Sequence, residues 1–429
     1  QGHIKIGGKM ICRTGFPVKS ASLLMSFVAT FLLFGNTLFA RTEEHHLLLD
    51  GSETLSQFGL DSLGNWWAIT QPYSEQYRVY INGEESDTYL TLTGLQFASS
   101  GEHWAYFGED HTGWAVIADD TVITLNASAP GQIHFSRIND LLTYSYIANG
   151  LEYIVIGDEK ISTYQKIGDY YISPNGKRYA YMSQRGSSYV MNINGHETQL
   201  YDEIKPIGFW HDGKFLYAAC YGNLWELYKD DEPISEQYAA IPEAVINADG
   251  TSAGAIAKLQ SGYYYSILLN DDYYDILTSS EYDAMSDIVI HPYDALIACK
   301  AELNNSYYML MNSTEYPSEE NAGAPQFTYD GSEMFFLGCR VSCFLSVNGK
   351  KIKVPNQLDP GYSIAKKPGS PTICFPTSTT LTMQNVETNE INGSLLIDLI
   401  TYPIYNRISG AYETLGSINN RLYLMRLQP

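Results

Sequence analysis

Short runs of alternating apolar and polar residues, separated by tight turns, recur along most of this chain. The clearest copy spans residues 172–183, where Ser173-Pro174-Asn175-Gly176 supplies turn residues and residues 178–182 have the aromatic content and alternation of a strand. Related turns centre on residues 64, 101, 139, 176, 213, 250, 294 and 331, at steps of 37, 38, 37, 37, 37, 44 and 37 residues. Such a period predicts that each repeat is one supersecondary element.

A second turn follows each first turn after 18 to 21 residues. The clearest second turns are Asn82-Gly83, Asn194-Gly195 and Asn348-Gly349, and Asn-Gly between apolar runs is a strong hairpin signal. A unit of about 37 residues with two tight turns fits four short antiparallel strands, and such units repeated radially make a β-propeller. The pattern therefore predicts an all-β fold, a β-propeller of repeated four-stranded antiparallel blades.

The string Ser-Pro-Asn-Gly-Lys-Arg-Tyr-Ala-Tyr at residues 173–181 resembles the repeat of TolB-type, WD-repeat-like β-propellers. Those repeats carry a Ser-Pro-Asp-Gly-Lys turn followed by an apolar strand. The resemblance covers eight units over about residues 58–351, although in this chain only Pro174 supplies the proline of the turn. It implies a propeller fold and leaves function open, because propellers host many unrelated roles.

The length of the chain raises the question of how the ring closes. There is room for about ten units, whereas about four to eight blades is typical of one ring. The alternatives are one large ring, two propellers, or a smaller ring with degenerate units, and we favour one closed ring. Residues 45–51 look like a strand leading into a second turn, and residues 417–424 look like a first turn with its following strand. We therefore predict that the terminal strands complete one blade together, which removes open sheet edges.

Residues 352–416 are the least regular part of the predicted propeller. We interpret them as either a degenerate blade or an inserted segment, and loops carry specificity more often than the scaffold does. Six prolines interrupt the strand pattern in this region: Pro355, Pro360, Pro368, Pro371, Pro376 and Pro403.

The first 40 residues differ from the repeats. Arg13 and Lys19 precede an apolar run at residues 21–34, and Leu38-Phe39-Ala40 is a candidate cleavage site, so the pattern predicts a secretory signal peptide. An uncleaved membrane anchor is the alternative, since the apolar run approaches the length of a membrane span. We favour cleavage because Gly35-Asn36-Thr37 interrupts the run.

The predicted organisation is therefore upstream residues plus a signal peptide at 1–40, followed by a β-propeller at 41–429. No later stretch of the sequence is apolar enough to span a bilayer, so we expect no membrane span in the mature chain. The protein is predicted to be exported, to the periplasm, the cell surface or the extracellular space.

The predicted propeller is strongly acidic. The first 40 residues hold four basic side chains and no acidic one, so 22 basic and 48 acidic side chains remain after them. This balance argues against nucleic acid and anionic lipid as partners and permits cationic ones. Asp119-Asp120, Asp230-Asp231 and Asp271-Asp272 all fall at second turns, where we expect acidic residues chiefly to keep the protein soluble.

Little in the sequence indicates catalysis or a cofactor. It holds no His-Glu-x-x-His, P-loop or Gly-x-Gly-x-x-Gly motif, and we expect no nucleophile elbow of a serine hydrolase. We therefore assign no catalytic residue, no metal ligand and no cofactor, and leave the binding residues unassigned. Four histidines lie near first turns of different units, and we expect them to serve local packing or surface roles rather than to converge: His103, His134, His211 and His291.

Five cysteines follow the predicted signal peptide, an odd number. Cys339 and Cys343 could pair across a tight hairpin, since an exported chain allows a disulfide. The alternative, which we favour, is that each cysteine is a small buried apolar residue: Cys220, Cys299, Cys339, Cys343 and Cys374.

The chain contains 35 tyrosines, with clusters such as Tyr263-Tyr264-Tyr265 and Tyr307-Tyr308. Neighbouring residues on a strand face opposite sides, so some of these rings are expected to pack between blades and others to be exposed for recognition. We predict an exported, non-catalytic propeller that binds another protein or an envelope component. A carbohydrate-binding or carbohydrate-active propeller is the alternative, and a purely structural part of an assembly is a third hypothesis.

Overall fold

The structure is a computed structural model of the chain. It describes residues 43–428 apart from 62, 164–166, 168, 271–273, 277–279, 329, 340–342, 355–363, 377–380, 386–390, 394–398, 402 and 407. The predicted signal peptide lies outside the described residues. Every described element is a β-strand, and within the described residues no helix long and apolar enough to cross a membrane is found.

The strands group in chain order into small antiparallel sheets, the blades, and each strand pairs with its sequence neighbour. The first strand is β1, Glu43–Leu49, which belongs to the last blade. Blade 1 contains β2 (Thr54–Leu60), β3 (Trp66–Tyr73), β4 (Gln76–Ile81) and β5 (Glu84–Glu85). Blade 2 contains β6 (Thr91–Phe97), β7 (Trp104–Asp110), β8 (Gly113–Ala118) and β9 (Thr121–Thr124). Blade 3 contains β10 (Ala129–Phe135), β11 (Leu142–Ala148), β12 (Leu151–Ile156) and β13 (Glu159–Ser162).

The next three blades repeat the same order of strands. Blade 4 contains β14 (Tyr170–Ile172), β15 (Tyr179–Arg185), β16 (Ser188–Ile193) and β17 (His196–Glu197). Blade 5 contains β18 (Glu203–Phe209), β19 (Phe215–Tyr221), β20 (Leu224–Lys229) and β21 (Glu232–Pro233). Blade 6 contains β22 (Ala240–Ile246), β23 (Ser252–Lys258), β24 (Tyr264–Asn270) and β25 (Tyr274–Ile276).

Blades 7 to 10 complete the series. Blade 7 contains β26 (Ala284–Ile290), β27 (Ile297–Leu303), β28 (Ser306–Met311) and β29 (Thr314–Pro317). Blade 8 contains β30 (Gln326–Phe327), β31 (Met334–Cys339), β32 (Cys343–Val347) and β33 (Lys350–Lys353). Blade 9 contains β34 (Ala365–Lys366), β35 (Thr372–Pro376), β36 (Leu381–Asn385) and β37 (Ile391–Gly393). Blade 10 contains β38 (Leu399–Ile400), β39 (Ile404–Asn406), β40 (Ala411–Ile418) and β41 (Arg421–Leu427), with β1 as its outermost strand.

These ten sheets confirm the predicted all-β propeller. Each first turn joins the first two long strands of a blade, and each second turn joins the third strand to the fourth. In blade 4 the side chain of Ser173 accepts a hydrogen bond from the Arg178 N–H (2.9 Å), while Gly176 has a φ of 71°. Glycine adopts that left-handed conformation without steric cost, so the turn forms where the sequence places it.

Closure by the two termini is also confirmed. Strand β1 pairs antiparallel with β41, with Glu44 opposite Arg426 and Leu47 opposite Tyr423. The assignment of the turns at the ends was wrong, because Asn419 and Asn420 connect the second and third strands of blade 10 rather than forming a first turn. Both asparagines have positive φ. Asparagine suits a turn between any two strands of a blade, so the residue types alone could not decide which two strands this turn connects.

Apolar side chains fill the junctions between blades. Ten clusters of buried residues each join two successive blades, and one of them joins blade 10 to blade 1 through Leu415, Leu422, Trp66 and Ala68. Since every junction is filled in this way, the blades form one closed ten-bladed ring rather than two propellers. Burying a large apolar side chain stabilises a fold by about 1.5–3 kcal/mol, so the ring is stabilised at every junction.

Tyrosines contribute to these junctions in a repeated way. In four blades a tyrosine beyond the outermost strand forms an isolated β-bridge to the third strand and inserts its ring towards the next blade. All four are buried, and they account for part of the tyrosine content: Tyr89, Tyr201, Tyr238 and Tyr282. In the cluster at 263–265, Tyr263 precedes β24 and is exposed, whereas the neighbouring strand residues Tyr264 and Tyr265 are half-buried and buried.

The cysteines behave differently from our expectation in one respect. Cys339 and Cys343 form a disulfide between β31 and β32, so the favoured interpretation of two buried thiols was wrong for this pair. The two strands pair directly, with Cys339 opposite Cys343, which brings the sulfur atoms together. Cys220, Cys299 and Cys374 are buried free thiols, as expected.

Candidate functional site

An open cleft of about 420 Å³ lies at the junction between blades 1 and 2. Residues at or directly after two second turns supply four of its five carboxylates. Glu84 begins β5 directly after Asn82-Gly83, and Asp119-Asp120 forms the corresponding turn of blade 2. Asp119 has a φ of 47°, a left-handed conformation that aspartate and asparagine tolerate better than most residues. Asp119 thus both fits the backbone geometry of the turn and places a carboxylate at the cleft.

The connection from blade 1 to blade 2 forms another wall of the cleft. The Ser86 hydroxyl accepts a hydrogen bond from the Val79 N–H (3.0 Å) and donates one to the Asp87 carbonyl (2.7 Å). Tyr89 then exchanges two backbone hydrogen bonds with Tyr77, at 2.7 and 2.8 Å. These bonds hold the connecting segment against blade 1, so the Asp87 side chain is attached to a well-defined backbone.

Charges in the cleft are unbalanced. Five carboxylates and one guanidinium line it. The Arg78 guanidinium lies 3.4 Å from Glu85 and 2.7 Å from Glu53, which is outside the cleft. The imidazole Nδ1 of His103 lies 2.9 Å from Asp119. Within the described part of the chain the remaining three carboxylates have no ion-pair partner: Glu84, Asp87 and Asp120.

A buried hydroxyl belongs to the same cleft. The Tyr106 side chain is 1% exposed and lines the cleft, stacked on Trp104 at 5.7 Å between ring centroids. Its hydroxyl is close to Ser86 and Tyr89 but meets neither in hydrogen-bond geometry, and it has no partner among the described residues. Burial raises the pKa of Tyr106, so the phenol is neutral and can both donate and accept a hydrogen bond.

The histidines singled out in the sequence do not converge. They lie in blades 2, 3, 5 and 7 or the turns of those blades, and within the described residues no group of three His, Cys, Asp or Glu could hold a metal ion. His291 is buried and its Nδ1 accepts hydrogen bonds from the Tyr293 and Asp294 N–H groups, at 3.0 and 2.7 Å. Burial lowers the pKa of His134, which packs edge-on against Tyr170. Only His103 lies beside the cleft, through Asp119.

One pattern that sequence reasoning missed is Gly250-Thr251-Ser252-Ala253-Gly254, which matches Gly-x-Ser-x-Gly. In the structure this segment is the first turn of blade 6 followed by the start of β23. Ser252 is 3% exposed and its N–H donates to the Asn247 side chain (3.0 Å). A nucleophile elbow needs an exposed serine between a strand and a helix, so this match is a hairpin turn and not a hydrolase site.

The cleft was also missed, although the sequence held a signal for it. Glu84 and Asp120 belong to the second turns of adjacent units, and neither of these two turns contains a basic residue. We expected acidic second-turn residues chiefly to keep the protein soluble. Finding the cleft required the pairing register, which decides which turn of one blade faces which turn of the next.

No protein-family model and no curated protein matches this chain. Solved structures similar to it include one described as the crystal structure of the eukaryotic initiation factor, at 11% identity and a TM-score of 0.43, over 69% of this chain and 85% of that one. The Dos1 propeller is similar at 8% identity and a TM-score of 0.40, over 78% and 91% of the two chains. A hydrazine synthase of Kuenenia stuttgartiensis is similar at 13% identity and a TM-score of 0.30, over 64% and 98%. No function follows from likeness at these identities.

Proposed function

We propose that this chain is an exported, non-catalytic β-propeller that binds another protein through the cleft between blades 1 and 2. The observation that carries the proposal is the set of polar groups in the cleft that do not satisfy one another. Glu84, Asp87 and Asp120 lack ion-pair partners and the buried Tyr106 hydroxyl lacks a hydrogen bond, within the described residues. A buried polar group without a partner costs about 1–3 kcal/mol, which a bound ligand would recover.

Two features support export. The sequence of residues 1–40 has the basic start, apolar run and small residue of a signal peptide. The Cys339–Cys343 disulfide suits an oxidising compartment, where such bonds persist. The test is to sequence the N-terminus of the protein recovered from envelope and culture fractions of the source organism. A start at Arg41 supports cleavage, whereas recovery of the intact chain in the cytosol would contradict export.

Partner binding is tested by capture from those same fractions with the full-length protein. The cleft variant is the double substitution Glu84→Gln and Asp120→Asn. Asp158 and Glu159 occupy the second turn of blade 3 and are exposed, so the double substitution Asp158→Asn and Glu159→Gln is a matched control that removes the same charge. We expect a partner that binds the wild-type and control proteins and not the cleft variant. A partner that binds all three equally would show that the cleft is not its site.

A carbohydrate ligand is the second candidate function, because Trp104 and Tyr89 line the same cleft as the carboxylates. Aromatic faces and carboxylate oxygens can together bind sugar rings and hydroxyl groups. A glycan array probed with the wild-type protein and the cleft variant separates the two functions. Binding of a neutral glycan that the cleft variant loses would support the carbohydrate function over protein binding.

A further inference from the structure

The cleft has an internal counterpart at the junction of blades 4 and 5. In blade 1, Ile81 pairs with Glu84 across the turn Asn82-Gly83, and in blade 4, Ile193 pairs with His196 across Asn194-Gly195. Glu84 and His196 therefore hold the same position in their blades. The second turns of blades 2 and 5 correspond in the same way, so Asp120 is equivalent to Asp231.

The two junctions differ in charge at these equivalent positions. In blades 4 and 5 the His196 Nε2 lies 3.2 Å from the Asp231 carboxylate, and Arg178 lies 3.2 Å from Asp230. At the junction of blades 1 and 2 the residues at the positions of His196 and Asp231 are Glu84 and Asp120, two carboxylates that repel each other. At this position the junction of blades 1 and 2 thus has a carboxylate where its counterpart has an imidazole, and the Arg78 guanidinium of the cleft is already paired with Glu53 and Glu85.

The tyrosine hydroxyls at the two junctions differ as well. Tyr201 and Tyr217 share a hydrogen bond at 3.4 Å, and their rings meet edge-to-face with centroids 6.1 Å apart. Tyr89 and Tyr106 hold the equivalent positions with nearly the same ring geometry, at 6.0 Å, but the Tyr106 hydroxyl is unpartnered among the described residues. An unpartnered hydroxyl therefore lines the same cleft as the three carboxylates without ion-pair partners.

We infer that the cleft binds the guanidinium of an arginine side chain from a partner protein. A guanidinium carries five N–H donors in one plane and can stack on an aromatic ring, which suits a cleft lined by carboxylates from two blades and by Trp104. A divalent metal does not suit the site, because no three candidate ligands come together within the described residues. This inference rests on the proposed function and names the chemical group that the cleft recognises.

The test uses the full-length protein and a short peptide, acetyl-Gly-Arg-Gly-amide, with the citrulline peptide as the neutral isostere. Binding is followed by isothermal titration calorimetry and by the NMR signal of the Trp104 indole N–H. We expect the arginine peptide to bind at least about tenfold more tightly than the citrulline peptide, since charge-assisted hydrogen bonds are the stronger ones. We also expect binding to weaken from 0.1 to 1 M salt, as screening shortens from about 10 to about 3 Å.

Variants of the cleft residues test whether the peptide binds in the cleft. Glu84→Gln and Asp120→Asn are each expected to weaken arginine-peptide binding by about tenfold, and Tyr106→Phe by a few fold with the ring packing kept. The control substitutions Glu159→Gln and Asp158→Asn should leave it unchanged. Equal binding of the arginine and citrulline peptides, or equal losses in cleft and control variants, would overturn the inference.

The two proposals can fail separately. Selective arginine-peptide binding without any captured partner would support the recognition chemistry and contradict the proposed protein-binding function. A captured partner that depends on Glu84 and Asp120, combined with equal binding of the two peptides, would support the function and overturn the arginine assignment.

Discussion

His196 Nε2 lies 3.2 Å from Asp231 Oδ2, and this contact joins the second turn of blade 4 to the second turn of blade 5. At the equivalent positions in blades 1 and 2 stand Glu84 and Asp120, which both line an open cleft. The second turns at the two junctions have the same pairing register, so the difference between the junctions at this point lies in one side chain, His196 or Glu84. Repeated folds allow this comparison because each blade places its turns in the same register.

Replacing Glu84 by histidine should reproduce the contact of blades 4 and 5 at blades 1 and 2. Removing the Glu84 carboxylate relieves its repulsion with Asp120 at both pH values, and we expect a further gain of up to about 1 kcal/mol of stability at about pH 5.5 that is absent at about pH 8, because only the imidazolium forms the ion pair. The measurement is the midpoint of thermal unfolding of wild type and variant at both pH values. An identical difference at both values would contradict formation of the pair.

Asp119 should control the titration of His103. The hydrogen bond from the imidazole to the Asp119 carboxylate raises the pKa of His103 above its usual value of about 6.5. The raised pKa contributes stability that is present below about pH 6.5 and is lost as the pH rises through the folded-state value. Asp119→Asn should therefore lower the pKa of His103.

Two-dimensional NMR titration of the histidine signals checks this prediction. Asparagine tolerates the left-handed backbone at position 119 and can still accept the hydrogen bond from the Trp104 N–H (3.1 Å), so the turn should persist. The signal of His134, whose pKa burial lowers, is the internal control and should not move. An unchanged His103 titration in the variant would show that Asp119 is not its partner in solution.

Tyr201 should be one of the side chains that hold blades 4 and 5 together. It is 2% exposed, and its ring meets those of Tyr217 and Tyr228 edge-to-face. Tyr201→Ala should cost about 3–5 kcal/mol of unfolding free energy because it leaves a cavity, and Tyr201→Phe about 1 kcal/mol because only the hydroxyl is lost. Urea unfolding measures both, with Leu200→Ala at the exposed neighbour as control. Equal losses for Tyr201→Ala and Leu200→Ala would contradict the packing role.

The repeat pattern predicted the fold because local chemistry decides where each blade turns. Asn82-Gly83 and Gly176 adopt positive φ in their turns, so turn positions follow from residue type. The tyrosines at the junctions were not predictable in the same way. Tyr89 and Tyr201 lie in the connections between blades, and their partners Tyr106 and Tyr217 are on the next blade, so the contact depends on packing over 16 or 17 residues rather than on a local motif.

The disulfide and the cleft could not be predicted from residue types either. Cys339 and Cys343 form a disulfide because β31 and β32 pair in a register that puts them opposite each other, and a shift by one residue would separate them. Glu84 and Asp120 are 36 positions apart in the sequence, and they line one cleft because blades 1 and 2 pack side by side in the ring. Registers between strands and between blades decide both results, and residue types alone do not specify them.

The cysteines should react according to their burial in protein recovered from an oxidising compartment. Burial raises the pKa of the Cys299 and Cys374 thiols, which disfavours the reactive thiolate. We expect a peptide pair linked through Cys339 and Cys343 in a non-reducing digest, and alkylation of the two buried thiols by iodoacetamide only after unfolding. Mass spectrometry of native and urea-treated samples makes the comparison. Alkylation of Cys299 in the native protein would contradict its burial.

The blade that closes the ring should depend on one charged contact. The Glu413 side chain is 1% exposed, and its carboxylate accepts hydrogen bonds from the Arg426 Nε and the Asn406 side chain, both at 2.7 Å. Arg426→Met removes the cation and leaves the carboxylate buried, which should cost about 3–5 kcal/mol of unfolding free energy. The double variant Glu413→Gln with Arg426→Met removes the negative charge too, and its new amide oxygen can still accept the hydrogen bond from Asn406.

We therefore expect the double variant to be more stable than Arg426→Met alone, by about 1 kcal/mol or more, because a neutral amide is cheaper to bury than an unpaired carboxylate. Urea unfolding of wild type, the two single variants and the double variant completes a double-mutant cycle that isolates the interaction between Glu413 and Arg426. Additive losses would mean that the two residues act independently. In that event the backbone pairing of β1 with β41 and the apolar junction at Leu415 would hold blade 10 without help from this contact.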